Sequence, residues 1–158
     1  MDSAAESRAE TAPVTLRDGR EDDLPAVIAL DARVTGLEKE RYWRELYSRR
    51  GKELPFLVAE IAGPDGAARL AGFSIGEVRA WEFGSPPCGW VFALTVDPEL
   101  RLGGIGSRLM DAIAERFREA GVKRMRTMLA RDNHLLMAFF RSHGMMAGPY
   151  IELEKELD

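Results

Sequence analysis

The sequence predicts a chain of the α/β or α+β class, with strands and helices built around one mixed sheet. Three observations carry this expectation. Trp90-Val-Phe-Ala-Leu-Thr-Val96 is a continuous apolar run bounded by turn residues, as for a central strand. Ile105, Leu109, Ile113 and Phe117 recur every four residues, the face of a strongly amphipathic helix. Strand-like and helix-like patterns alternate along the rest of the chain, which puts helices on both faces of the sheet.

In order, Val14-Thr-Leu-Arg17 alternates as a first strand. Arg20-Glu-Asp-Asp23 supplies acidic capping residues to a helix with Pro25 early in it and Leu24, Val27, Ile28 and Leu30 on its apolar face. A second helix is expected from about Glu38 to Arg50, its stripe being Tyr42, Trp43, Leu46 and Tyr47, with Gly51 to close it. Phe56 to Ile61 and Ala68 to Val78 read as strands joined by the turn Gly63-Pro-Asp-Gly66. The loop Phe83 to Gly89 leads into the strand at Trp90, and the helix from Ile105 ends at Gly121, a residue suited to a left-handed C′ position. Arg124 to Leu129 is expected as a strand. Asp132 or Asn133 then caps a short helix from Leu135 to Ser142 that Gly144 ends, and Tyr150 to Leu153 alternates as a last strand.

The chain has 158 residues, which favours one domain, expected over 14–158 behind a tail at 1–13. A net charge of -4 argues against a dedicated nucleic-acid binder. No apolar run is long enough to span a membrane, and the first residues lack the apolar core of a signal peptide. The single cysteine, Cys88, excludes an intrachain disulfide and fits a reducing cytoplasm. His134 and His143 stand without other ligand types, so no metal site is expected.

The chemistry concentrates in Val96-Asp-Pro-Glu-Leu-Arg-Leu-Gly-Gly-Ile-Gly-Ser107. A buried strand ends there, and a glycine-rich loop opens a strong helix. Backbone N–H groups at such a junction sit beside the positive end of the helix dipole and suit phosphate oxygens. Gly103, Gly104 and Gly106 let the backbone approach an anion, and Arg101 adds charge. The loop is not a Walker A sequence, because Ser107-Arg108 follows Gly106 where a Lys-Ser/Thr pair is required. It fits a dinucleotide fingerprint poorly, because Leu109 stands where the third glycine belongs.

Arg101-x-x-Gly104-x-Gly106 resembles the Arg/Gln-x-x-Gly-x-Gly/Ala motif of the GNAT N-acetyltransferases. Val96-Asp-Pro before it, the amphipathic helix after it, and Asn133…Phe139-Phe140…Gly144-Met145 downstream resemble that family too. The resemblance implies the GNAT acyl-CoA N-acyltransferase fold, a central mixed and mostly antiparallel sheet. It implies an acetyl-CoA-dependent transferase that moves an acetyl group directly to a primary amine of a small molecule or a protein. The alternative is a catalytically weak acetyl-CoA-binding or sensor module. Amides of Leu102, Gly103, Gly104, Ile105, Gly106 and Ser107 would hold the coenzyme's pyrophosphate. The backbone of Leu94, Thr95 and Val96, on a bulged strand, would pair with the pantetheine arm, and Asn133 would contact the coenzyme. The family's exposed last strands often pair between subunits, which keeps a homodimer open beside a monomer.

For catalysis, an N–H near Leu94 would polarise the thioester carbonyl. Two familiar positions differ here. Phe140 stands where the family usually has an acid tyrosine, so its place in coenzyme binding is packing alone. The thiolate's proton would come from water, Thr95 or Ser142, or from no acid. Trp90 stands where some members carry a glutamate base. Glu77 is the preferred replacement, acting through a water, ahead of Glu82, Asp31 and Glu38. Tyr42, Trp43, Tyr47, Trp81 and Phe83 are candidates to shape an acceptor pocket, against simple core packing for at least half of them.

Overall fold

The computed structural model describes residues 13–158, except for the side chains of Arg101 and Leu102; the tail expected at 1–13 lies outside it through residue 12. The chain divides into two units, one ending at Thr127 and the other running from Met128 to Asp158.

The first unit is built on a five-stranded sheet in the order β1-β2-β3-β4-β5. The strands are β1 (Thr15–Asp18), β2 (Phe56–Ala62), β3 (Ala68–Arg79), β4 (Cys88–Val96) and β5 (Met125–Arg126). The first four run antiparallel to their neighbours, and β5 lies parallel to β4. Helices α1 (Leu24–Thr35) and α2 (Glu40–Ser48) precede β2, and α3 (Ile105–Glu119) joins β4 to β5.

Alternation along the strands divides the core. Phe56, Val58, Phe73 and Ile75 face α1 and α2, where they meet Leu24, Val27, Leu30, Trp43 and Leu46. Leu57 and Val91 on the other face meet Ile113 and Phe117 of α3, while Ala59 and Ala71 meet Ile105 and Leu109. Fully burying one such side chain contributes roughly 1.5–3 kcal/mol. Trp43 stacks edge-on against Phe73 at 5.2 Å between ring centroids. The Trp43 indole N–H donates to the buried Asp31 carboxylate at 3.0 Å, and Lys39 Nζ lies 2.9 Å from the same oxygen. Two members of the predicted α2 stripe are therefore core, whereas Tyr42 is exposed.

Two expected strands are corrected. The strand predicted over Arg124–Leu129 is only two residues long, because main-chain pairing with β4 stops at Trp90↔Arg126. Thr127 then donates its hydroxyl to the Val91 carbonyl at 3.0 Å. Tyr150–Leu153 is not a strand: Ile151 and Leu153 are exposed, and no ladder includes them. Alternation alone does not hold a strand that lacks a partner. The second unit contains α4 (His134–Ser142), begun by Asn133, whose Oδ1 accepts the Leu136 N–H at 3.1 Å. Phe140, on α4, is buried and lies edge-on to Phe139 at 5.4 Å between ring centroids.

Candidate coenzyme and acyl-transfer site

The site begins at the β4 edge. On β3, Ile75 pairs with Ala93 and Gly76 pairs with Val91, so Phe92 is an extra residue on β4. This is a β-bulge, which bends the strand and redirects its edge. On one side, Leu94, Thr95 and Val96 pair with Ser74, Phe73 and Gly72 of β3. On the other, β5 pairs only with Gly89 and Trp90. Among the described residues, no strand covers the edge of β4 from Phe92 to Val96.

Which backbone groups face that edge follows from alternation. Asp97 donates its N–H to Ala71 in β3 at 2.8 Å. Successive residues of a strand point their N–H and C=O groups to opposite sides, so Thr95 also faces β3 and Leu94 and Val96 face the open edge. Thr95 therefore has its main chain committed to the sheet, with its side chain on the α1/α2 face beside Phe73. Leu94, the expected polarising donor, has its N–H on the open side.

At Asp97 the strand becomes the glycine loop. A 3-10 turn covers Pro98–Gly103, Gly104 takes a left-handed φ of 68°, and α3 starts at Ile105. Gly104 provides no capping side chain, and the Arg108 N–H reaches the Gly104 carbonyl at 3.1 Å as the helix begins. Ile105 and Gly106 lie in the first turn, whose N–H groups have no acceptor within a helix. Among the described residues, a Cβ built on Gly104 meets nothing within 4 Å, so a side chain at this position has room. Ser107 lies in the same turn. The expected charge from Arg101 concerns a side chain outside the described residues; Leu102, expected to act through its amide, lies in the 3-10 turn with Gly103.

The buried Asp97 holds this junction. Its Oδ1 accepts the Glu99 N–H at 3.0 Å, and its carbonyl accepts the Leu100 N–H at 2.8 Å. Its Oδ2 accepts from Arg33 of α1 at 3.2 Å and from Arg69 of β3 at 2.9 Å; Arg69 also reaches Glu99 at 3.0 Å. Burial alone would raise the Asp97 pKa. The Glu99 N–H and the two guanidinium groups outweigh it and hold the carboxyl below the usual carboxylate range. Sequence reading placed this residue at the end of a strand and in the family-like Val96-Asp-Pro, without a role of its own. Its partners lie 64 and 28 residues away, and no local pattern could have found them.

The expected base, Glu77, lies on β3 opposite Trp90, on the α1/α2 face with Phe73 and Ile75. Its side chain is about three-quarters buried; Arg49 lies at 3.4 Å and Arg79 at 4.0 Å. Glu77 is three residues along β3 from Ser74, the partner of Leu94, or roughly 10 Å along the strand. Of the other carboxylates weighed as bases, Asp31 is engaged by Trp43 and Lys39, and Glu82 forms two bonds to Arg79 at 2.7 and 3.0 Å. Glu38 is exposed. Trp81 and Phe83 stand in solvent at the turn between β3 and β4, both with left-handed backbones. Asn133 and Phe140 belong to the second unit, where Asn133 caps α4.

Comparison with known proteins bears on this geometry. Residues 22–145 match the model of the acetyltransferase (GNAT) family. No curated protein sequence matches the chain. Among solved structures, the aminoglycoside 6'-N-acetyltransferase AAC(6')-Ih from Acinetobacter baumannii is similar at a TM-score of 0.73 and 15% identity, over 92% of this chain and 100% of that one. AAC(6')-Iy, in complex with the bisubstrate analogue CoA-S-monomethyl-acetylneamine, is similar at a TM-score of 0.76 and 16% identity, over 93% and 100%. Glucosamine-6-phosphate N-acetyltransferase from Arabidopsis thaliana is similar at 0.69 and 17%, over 92% and 99%. At these identities the structures speak for the fold, and the family match covers most of the chain. The bulged strand, the glycine loop and the helix behind it belong to a member of the GNAT acetyltransferase family.

Proposed function

We propose that this chain moves an acetyl group from acetyl-CoA directly to a primary amine. The observation that carries the reading is the continuity of one surface. The open edge of β4 runs through Leu94 and Val96 into a glycine loop whose helix starts without a side-chain cap. The space over Gly104 and the first-turn amides of α3 suit the pyrophosphate; the edge groups of Leu94 and Val96 suit the amide-bearing pantetheine arm. Acetyl-CoA supplies the activated acyl group, as a thioester.

The chain's own groups do the rest. The Leu94 N–H donates to the carbonyl oxygen on which charge develops. Glu77 takes the acceptor's proton through a water, with Arg49 and Arg79 setting the direction of its carboxylate. The departing thiolate is protonated by water or by a hydroxyl of the first unit such as that of Thr95. Holding both reactants in place supplies a large share of the acceleration. The activities named for the similar structures, on aminoglycosides and on glucosamine 6-phosphate, favour a small-molecule amine over a protein. The single buried thiol, Cys88, supports a reducing cytoplasm as the setting.

A second reading, a coenzyme-binding module with little turnover, is favoured by two features. Glu77 is engaged by two arginines, and a phenyl ring stands at position 140. Calorimetric titration of acetyl-CoA, followed by a panel of primary amines, separates the two. Saturable binding with turnover supports the transferase, saturable binding without turnover supports the module, and no binding to the folded chain sinks both. Within the transferase reading, Glu77→Gln is expected to lower kcat about 10²-fold or more and to leave acetyl-CoA affinity unchanged. An unaltered pH–rate profile in that variant would remove Glu77 from the mechanism.

A further inference from the structure

We propose that Asp97 is a positioning residue for the coenzyme, and that Arg33 and Arg69 are what make it one. The inference rests on reading the glycine loop as the pyrophosphate site.

Asp97 is 1% exposed, and its carboxylate meets three donors. Its two oxygens do different work. Oδ1 caps the 3-10 segment through the Glu99 N–H. Oδ2 takes both guanidinium groups, at 3.2 and 2.9 Å, and these fix the rotation of the carboxylate. Three elements therefore meet on one oxygen: the last turn of α1, strand β3 and the entrance to the loop.

Charge gives the second reason. Asp97 and Glu99 put two negative charges at the start of a loop that is to receive an anion. Arg33 and Arg69 bring two positive charges to the same place, and Arg69 touches both carboxylates. Without them a buried carboxylate would repel the ligand that the loop is built to hold. The two arginine side chains are 56% and 40% exposed, so replacing them leaves the core packing intact.

The test compares two ligands in Arg33→Met/Arg69→Met: acetyl-CoA, and S-acetylpantetheine, which lacks the pyrophosphate. Acetyl-CoA is titrated by calorimetry and the weaker fragment by protein NMR. Acetyl-CoA is expected to bind about tenfold more weakly, with S-acetylpantetheine unchanged. Arg33→Lys/Arg69→Lys, which keeps the charges, is expected to recover most of the affinity. Unchanged acetyl-CoA affinity in the methionine variant overturns the proposal. So does an equal loss for both ligands, because the arginines would then act on the sheet as a whole. If the double variant does not fold, Arg33→Met alone gives the same comparison with a smaller shift. A wild-type chain that does not bind acetyl-CoA is a different failure: it removes the loop reading, and this proposal with it.

Discussion

A side chain at position 104 must accept φ 68°, a left-handed backbone that costs most residues about 1–2 kcal/mol. Asparagine and aspartate tolerate it best and differ only in charge. The open space over Gly104 leaves room for either. Gly104→Asn is therefore expected to fold and to bind acetyl-CoA with a modest loss. Gly104→Asp should bind at least about tenfold more weakly than Gly104→Asn, because under the proposed function its carboxylate would stand beside the pyrophosphate. Equal affinities in calorimetry would mean that no anion sits over this turn. Trp81 and Phe83 pose the reverse question. Both hold left-handed backbones, at φ 66° and 55°, while the two residues are 75% and 77% exposed. Neither the fold nor the core accounts for that combination, and strain of this kind gathers at binding sites. Trp81→Gly is expected to raise stability by about 1 kcal/mol in chemical denaturation. If the ring serves the acceptor, KM for the amine rises in that variant while acetyl-CoA affinity holds. A variant that gains stability and keeps its acceptor KM would leave Trp81 without a role in the site.

Among the elements, α3 is seated by the absence of side chains on the sheet beneath it. A Cβ on Gly76 would stand 2.6 Å from the Trp90 carbonyl oxygen, and a Cβ on Gly89 would run into the Phe117 ring. Gly89→Ala is expected to cost about 1–3 kcal/mol by overpacking. Combining it with Phe117→Leu should cost less than the sum of the two, read as a double-mutant cycle in denaturant. Simple additivity would mean that the ring does not set the distance between α3 and the sheet. The sequence displayed α3 and β4 plainly, because a four-residue repeat and an unbroken apolar run are local signals. It displayed the loop as well, since Gly104 and the helix behind it are contiguous. The length of β5 was not legible. Arg124–Leu129 has the composition of a strand, but pairing ends where the Thr127 hydroxyl takes the Val91 carbonyl, a meeting of residues 36 apart. Tyr150–Leu153 was misread for the related reason that alternation describes a face and not a partner. A bulge on the central strand was expected only through the family resemblance, and its place at Phe92 was not, because an extra residue is defined by its opposite strand.

At the scale of the whole first unit, α1 is tied to the sheet at both ends by carboxylates. At its start, Asp23 accepts two bonds from Arg17 of β1, at 2.7 and 2.8 Å, and Arg17 continues to Glu60 of β2 at 2.9 Å. At its end, Arg33 reaches Asp97 beyond β4. Twelve helical residues span about 18 Å, enough to cross from the β1 side of the sheet to β4. Both carboxylates titrate below their ordinary range. Burial of Asp23 opposes its charge, but Arg17 and the Arg20 N–H outweigh it, as the loop N–H and the arginines do for Asp97. A depressed folded-state pKa means that the unfolded chain binds protons first as pH falls. The stabilisation is thus complete above the unfolded value of about 4 and is lost as pH drops through the folded values beneath it. Asp23→Asn removes one such contribution at every pH. The variant should unfold at a lower temperature than the wild type near neutrality, and the gap should narrow as pH is brought from about 6 to about 3. A gap that stays constant over that range would mean that Asp23 contributes through packing and hydrogen-bond geometry that its neutral form retains, and that the charge on this tie of α1 adds nothing to stability.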